Sequence, residues 1–352
     1  MTIRQKTTAI RQDIINTVEV HPSDIAAVIC QKWSVSRQAA NKHLKELCDE
    51  GILEAAGRTT ARTYTLNALF EFSQRIPVPG LSEEVPWREY IGSRLVGLPK
   101  NVSDICHYGF TEMLNNAIDH SGSGDVELRC IQTAASISIT IQDFGIGIFK
   151  KIKDALHLSN ERDAILELVK GKVTTDPEHH TGEGVFFTSR LVDLFSIRSG
   201  GLFFAHVRPN KDWLIEESPQ VSAGTSVNFA ISPTSKLSMR KVFDEYTDED
   251  YTFSKTHVPV RLAQYGQENL ISRSQAKRVL SRFGQFSEVL LDFNGVEFIG
   301  RAFADEIFRV FQTANPHVKF VVVNACPSVR ALIDHSVNAR GTKTKVEVQN
   351  ID

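Results

Sequence analysis

The chain has 352 residues, 41% of them hydrophobic and 23% charged, and a formal net charge of −2. That length fits two or three domains, and the balance suits a soluble globular protein without an all-over basic coat for nucleic acid. No apolar run reaches the roughly 18 residues of a membrane span, MTIRQKTTAIRQ has no signal-peptide apolar core, and Cys30, Cys48, Cys106, Cys130 and Cys326 form no CxxC pair, so free thiols in a cytoplasmic setting are expected.

Residues 1–70 read as a first unit. A helix is predicted over about 7–18, and a second in PSDIAAVICQKW with Ser23 placed to cap it. The stretch SVSRQAANKHLKELCDEGIL gives a third, capped by Ser36, with Ala39, Ala40, Leu44 and Leu47 as its inner stripe. Arg37, Gln38, Asn41, Lys42 and Lys45 lie outside that stripe. GILEAAGRTTARTYTL then alternates around a turn, as a two-stranded wing would. Two short helices, a polar-faced third and a hairpin resemble the winged helix-turn-helix of bacterial regulators. The resemblance implies that Ser36, Arg37, Gln38 and Lys42 meet the major groove while Arg58 and Arg62 of the wing meet phosphate. The unit is only weakly basic, nine Lys and Arg against seven Asp and Glu, so a winged helix that contacts protein stands beside the DNA reading.

The proline-rich RIPVPGLSEEVP suggests a linker over 71–84, and a second unit follows over 85–232. In EMLNNAIDHS, Met113, Leu114, Ala117 and Ile118 supply a buried stripe, yet Glu112, Asn116 and His120 recur at spacings of four and form a polar column beside it. DVELRCI and SISITIQ alternate as strands with one buried face. The second runs into DFGIGI, with Asp143 before Gly145 and Gly147. TGEGVFFTSRLVDLF opens a helix on Gly182 and Gly184 with Phe187, Leu191, Leu194 and Phe195 as its stripe, and AGTSVNFAI is a strand headed by Gly224 and Thr225.

In this order the four pieces resemble the GHKL (Bergerat-type) nucleotide fold of gyrase, histidine kinases and anti-sigma-factor kinases. EMLNNAIDH is similar to the N box, DFGIG and TGEGVFF to the two glycine boxes, and GTSV to the Thr-bearing strand beyond them. The resemblance implies an α/β sandwich that binds ATP with Mg²⁺. Asn116 would bridge the metal to the phosphates, and Glu112 would align a nucleophile. Asp143 and Thr225 would hold adenine, Gly145 and Gly147 would let backbone approach the base, and Gly182 and Gly184 would present helix-terminal amides to phosphate. His120 resembles the His that follows the N box in anti-sigma-factor kinases. Residues 149–181 would form the ATP lid, with a helix in ERDAILELVKG closed by Gly171 and with Lys170 or Lys172 as γ-phosphate contacts. A two-component sensor fits poorly: Pro99 interrupts the segment before the N box, and His107 lacks coiled-coil heptads.

ISPTSKLS and the acidic DEYTDEDY suggest a second linker over 233–252, before a third unit over 253–345. SEVLLDF and VKFVVVNA read as buried parallel strands, and RAFADEIFRVFQ and PSVRALIDH as helices. LLDFNGVEFIGRAFADEIF resembles the STAS domain of anti-sigma-factor antagonists. Where that family carries a phosphoaccepting Ser or Thr, this chain has Phe298, Ile299, Gly300 and Arg301, leaving Asp292, Glu297 and Arg301 as contact candidates. The whole reads as a multidomain α/β regulator, cytoplasmic and not membrane-bound: a winged helix, a GHKL ATPase and a STAS-like docking module. Its ATP state would bias DNA binding or a protein partner, with a homodimer expected by analogy. The rivals are a serine/threonine kinase acting on a separate protein, and an ATP-binding interaction protein without turnover.

Overall fold

The structure, a computed structural model, describes residues 2–58, 61–174, 181–208, 212–266, 268–338 and 346–349. The predicted segments 175–180 of the lid and 339–345 of the third unit lie outside the described residues.

Three helices, α1 (Ile3–Thr17), α2 (Ile25–Trp33) and α3 (Arg37–Asp49), precede an antiparallel pair, β1 (Leu53–Ala56) and β2 (Thr63–Leu66). Ser36 caps α3 by accepting from the Ala39 amide at 3.2 Å. Ser23 does not cap α2: the cap position falls on Asp24, which makes no side-chain cap bond and instead faces His21 Nδ1 at 3.1 Å. Ile14, Ile29, Ala40, Leu44 and Leu47 build a core of this unit's own, on which Ala134 and Ala135 also pack.

A five-stranded antiparallel sheet follows in the order β3-β4-β5-β7-β6. Its strands are β3 (Phe70–Pro77), β4 (Asp125–Gln132), β5 (Ile137–Asp143), β6 (Leu194–Val207) and β7 (Asp212–Ile231). The expected linker thus begins with a sheet strand, since Phe70 to Pro77 pair with Gln132 to Asp125. Prolines at the strand's end, where a missing N–H is tolerated, disguise its alternation. A short helix α4 (Glu84–Pro86) runs into a π turn at Trp87–Ile91, and Trp87 stacks on His107 at 4.9 Å.

Four helices complete this unit: α5 (Lys100–His120), α6 (Ile148–Ala155), α7 (Glu161–Lys170) and α8 (Gly184–Leu191). α5 buries Ile105, Phe110, Met113, Leu114 and Ala117 against the sheet. α8 ends at Leu191, so the expected stripe members Leu194 and Phe195 belong to β6. The second expected linker is also packed: α9 (Met239–Tyr246) sets Phe243 4.3 Å from Phe187 and Tyr246 5.0 Å from Phe186, ring to ring. Its Val242, Phe243 and Tyr246 have helical spacing, which the flanking acids and proline mask.

The last sheet is parallel, ordered β11-β10-β9-β8, with β8 (Lys255–Pro259), β9 (Glu288–Asp292), β10 (Lys319–Val323) and β11 (Val346–Gln349). Helices α10 (Arg273–Leu280), α11 (Arg301–Asp305), α12 (Gln312–Ala314) and α13 (Pro327–Asn338) accompany it, with a π turn at Glu306–Phe311 joining α11 to α12. This sheet and the central one share a single apolar core, in which Phe253 lies 4.5 Å from Phe186. Each fully buried aromatic or aliphatic chain there contributes about 1.5–3 kcal/mol.

The expected lid helix α7 is part of that junction. Lys170 is fully buried and donates to Glu167 at 2.7 Å and to the Ser281 carbonyl at 3.0 Å. Arg282 reaches Glu167 at 3.1 Å and donates to the carbonyls of Gly171 and Lys172. Lys170 is therefore a structural cation: desolvation lowers its pKa and Glu167 counters the loss.

Candidate functional site

The polar column on α5 opens into a cavity of about 320 Å³. Glu112, Asn116 and His120 line it together with Asn115 and Ser121, while Met113 and Ala117 close its floor. Gly147, Ile148, Lys151 and Ile152, at and after the start of α6, also line it, as do Val173, Thr174 and Thr181. Gly182, Glu183 and Gly184 follow where α8 begins, and Asp143, Thr225 and Val227 come from β5 and β7. The sheet and helices bring together residues more than a hundred positions apart.

Asp143 ends β5 and is buried. Its Oδ1 accepts from the Gly145 amide at 2.9 Å and the Thr225 amide at 3.1 Å. Burial pushes the carboxyl up from its ordinary value, and the bonds from Gly145 and Thr225 hold it back in part. Thr225 Oγ1 in turn accepts from the Ile148 amide at 2.9 Å, tying β7 to α6.

The glycines divide by role. Gly147, Gly182 and Gly184 line the cavity, and Gly145 does not. A Cβ on Gly145 would lie 1.9 Å from the Ser121 carbonyl oxygen, so its bare backbone lets the loop pass the end of α5. A Cβ on Gly184 would lie 2.1 Å from Glu112 Oε2, so this glycine brings the Glu112 carboxylate against the first turn of α8. Burial, the larger effect, raises the Glu183 carboxyl, and Lys172 opposes it.

Lys172 is not among the residues lining this cavity. Its ammonium donates to the Gln285 carbonyl at 2.9 Å and lies 4.9 Å from the Phe286 ring. It borders a neighbouring hollow with Arg282 and Glu183. Sequence reasoning also missed Asn115, Lys151 and Glu183, which line the cavity. Burial first, then the Glu112 and Glu183 charges, push the Tyr108 phenol up. The spacing of Ile148, Lys151 and Ile152, one helical face, is the available signal for Lys151.

In the third unit, Asp292 accepts from Asn324 Nδ2 at 2.8 Å and from the Asn294 amide at 2.9 Å, and faces His257 Nε2 at 3.1 Å. These bonds keep its carboxyl below the usual range despite burial. Asp292 thus joins β8, β9 and the end of β10, whereas Glu297 and Arg301 are exposed. In the first unit Ser36, Arg37, Gln38, Lys42, Arg58 and Arg62 are all exposed.

A carboxylate buried at one end of a cavity and a helix N-terminus at the other suit a ligand that is a base at one end and an anion at the other. Residues 85–202 match the histidine kinase-like ATPase domain. Residues 275–330 match a STAS-like domain of unknown function (DUF4325). No curated protein and no solved structure matches the chain. The chain is a mixed α/β multidomain protein with a GHKL-like ATPase domain and a STAS-like domain. Glu112, Asn116, Asp143 and the four glycines all fall inside the ATPase-like match, and Thr225 completes the site from outside it. Among the described residues no helix is long and apolar enough to cross a membrane.

The donor set suits magnesium. Glu112, Asn115, Asn116 and Glu183 offer hard oxygens, and no group of three or more His, Cys, Asp or Glu among the described residues could cage a metal by itself. Mg²⁺ takes few protein ligands and fills its shell with water and phosphate.

Proposed function

We propose that the chain is an ATP-dependent regulator whose central unit binds and hydrolyses Mg-ATP. The observation that carries this is the cavity's polarity: the buried Asp143 with Thr225 at one end, and Glu112 against the start of α8 at the other. With Oδ1 of Asp143 held by two amides, Oδ2 would accept from the exocyclic amine of adenine. The keto oxygen of guanine would be repelled there. The column from Glu112 to His120 spans about 12 Å at ~1.5 Å per residue, enough for a ribose and its phosphates.

Asn116, midway, would give its amide oxygen to the magnesium ion, whose charge would neutralise the phosphates. The amides around Gly182 and Gly184 would receive phosphate oxygens, where the α8 dipole favours negative charge. Glu112 would orient a water for in-line attack on the terminal phosphate. Lys172 would join that phosphate by exchanging the Gln285 carbonyl for it.

At the ends of the chain, the first unit would act as a winged helix on DNA. Exposed Ser36, Arg37, Gln38 and Lys42 at the start of α3, with Arg58 and Arg62 between the strands of the hairpin, support that reading. A homodimer would set two such surfaces on one duplex. The STAS-like unit would dock a protein partner through Glu297 and Arg301. Gly300 and Arg301 offer no hydroxyl for phosphate, so it would act by binding.

Calorimetry with ATP and GTP, phosphate release for wild type and Glu112→Gln, and gel shifts with and without Mg-ATP test these parts. ATP should bind and GTP should not, the variant should bind ATP yet release phosphate about 10²- to 10⁴-fold more slowly, and DNA affinity should differ with nucleotide. Equal affinity for both nucleotides would overturn the base assignment. Phosphate found on a partner protein, not in solution, would make the central unit a kinase.

A further inference from the structure

We infer that Lys151 is the α-phosphate anchor of the nucleotide cavity, an inference that rests on the ATP reading above. Of the Lys and Arg side chains of the described residues, Lys151 alone lines this cavity, whereas three carboxylates, Glu112, Asp143 and Glu183, line it. A nucleotide adds several negative charges to those three, so a fixed cation inside the cavity matters to its electrostatics.

Its position is set by two helices. Ile148, Lys151 and Ile152 share the face of α6 that borders the cavity, while Lys150 on the same helix is exposed. The Lys151 ammonium donates to the His120 carbonyl at 2.7 Å, at the last turn of α5, where carbonyls have no partner within the helix. An ammonium has three protons to donate, so a phosphate oxygen can join its partners or replace one of them.

That anchoring point fixes which part of a nucleotide it meets. The Asp143 end of the cavity lies beside Ser121, through the contact of Gly145 with the Ser121 carbonyl. His120 is next to Ser121, about 6 Å along the helix from Asn116 and about 12 Å from Glu112. Lys151 therefore stands between the base end and the metal-binding level, at the first phosphate and not the last. AMP, ADP and ATP all carry that phosphate, and adenosine does not. The cavity would on this basis retain ADP after turnover, and release of ADP would depend on the same ammonium.

The test is calorimetry of AMP, ADP and Mg-ATP, with adenosine as a competitor, on wild type, Lys151→Met and Lys151→Arg of the full chain. Met keeps the aliphatic stem, and an unchanged melting temperature without nucleotide shows that it folds. Loss of one charge-assisted bond should weaken all three nucleotides by a similar factor, about 10-fold or more, leave adenosine unchanged, and be largely restored by Arg. Three results would overturn the assignment: unchanged affinity for AMP and ADP, loss confined to ATP, or equal loss of adenosine. If wild type binds no adenine nucleotide at all, the ATP reading falls and Lys151 with it. If wild type binds ATP but Lys151→Met binds as well, only the Lys151 assignment falls.

Discussion

Asp143 Oδ1 accepts two amide bonds, from Gly145 after β5 and from Thr225 of β7, and under the proposed function the other oxygen would take the base. Asn at this position keeps an oxygen for the two amides but can present its own N–H₂ to the adenine amine. Asp143→Asn should therefore leave the melting temperature nearly unchanged and weaken ATP about 10- to 100-fold in calorimetry. His206 offers a test of a different kind. Its Nδ1 donates to the Ser189 carbonyl at 2.8 Å, and its ring stacks on Trp213 at 4.0 Å. Burial, then the Arg190 charge, pulls its pKa down to about 4. A folded-state pKa below the unfolded value of about 6.5 means that the fold holds the neutral ring. The resulting stability is complete above about pH 6.5 and is lost as pH falls toward 4. Urea unfolding at pH 7.5 and pH 5 should differ by about 2 kcal/mol more in wild type than in His206→Gln. An equal pH dependence in the two proteins would show that the ring does not titrate this way.

Among the elements, α7 departs furthest from expectation: the sequence places it in a lid, and the structure makes it a clasped wall. Lys170, Glu167 and Arg282 join it to the third unit, Thr256 Oγ1 bonds the Lys170 carbonyl at 2.8 Å, and Tyr265 bonds Asp163 at 2.6 Å. Leu168 and Val173 of the same stretch face the nucleotide cavity. Lys170→Ala takes the ammonium from the buried Glu167 and leaves it to Arg282, so unfolding should be easier by about 3 kcal/mol. ATP affinity should fall with it, because the wall loosens; an unaltered ATP affinity in a destabilised variant would separate the two. The difference between what is legible in the sequence and what is not follows from range. Glu112, Asn116 and His120 are legible because one helix places them at a fixed spacing, and Asp143 because its strand alternates up to it. Lys170 is not, because the carbonyls it bonds, at 278 and 281, lie across a fold that helical period says nothing about. Gly145 reads from its motif as open to the base, but the Ser121 carbonyl fills the space beside it.

Taken entire, the protein is governed by two cores more than by three units. The central and third units share one, and the first unit has its own. DNA recognition, if it is the first unit's work, should then be chemically independent of the nucleotide cavity while remaining mechanically joined to it. Arg37→Ala with Arg62→Ala should weaken binding to a DNA pool and reduce its salt slope by about one for each phosphate that the two arginines neutralise. ATP turnover should be unchanged in that protein. A titration at several salt concentrations that gives the wild-type slope would remove both arginines from the phosphate surface.

The join between those two cores also bears on how the native protein meets a protease. Only Asn67, Ala68 and Leu69 separate β2 from β3. Asn67 donates to the Gly51 carbonyl at 2.9 Å, Leu69 donates to the Gln132 carbonyl at 2.7 Å, and Ala134 and Ala135 of the β4–β5 turn pack on the first core. A protease must draw several residues into an extended, unbonded stretch before it can cut, and this junction offers none without breaking structure on both sides. Brief digestion of the native protein should therefore release no fragment ending near residue 68. A band of that size at early times would show that the hinge opens on its own.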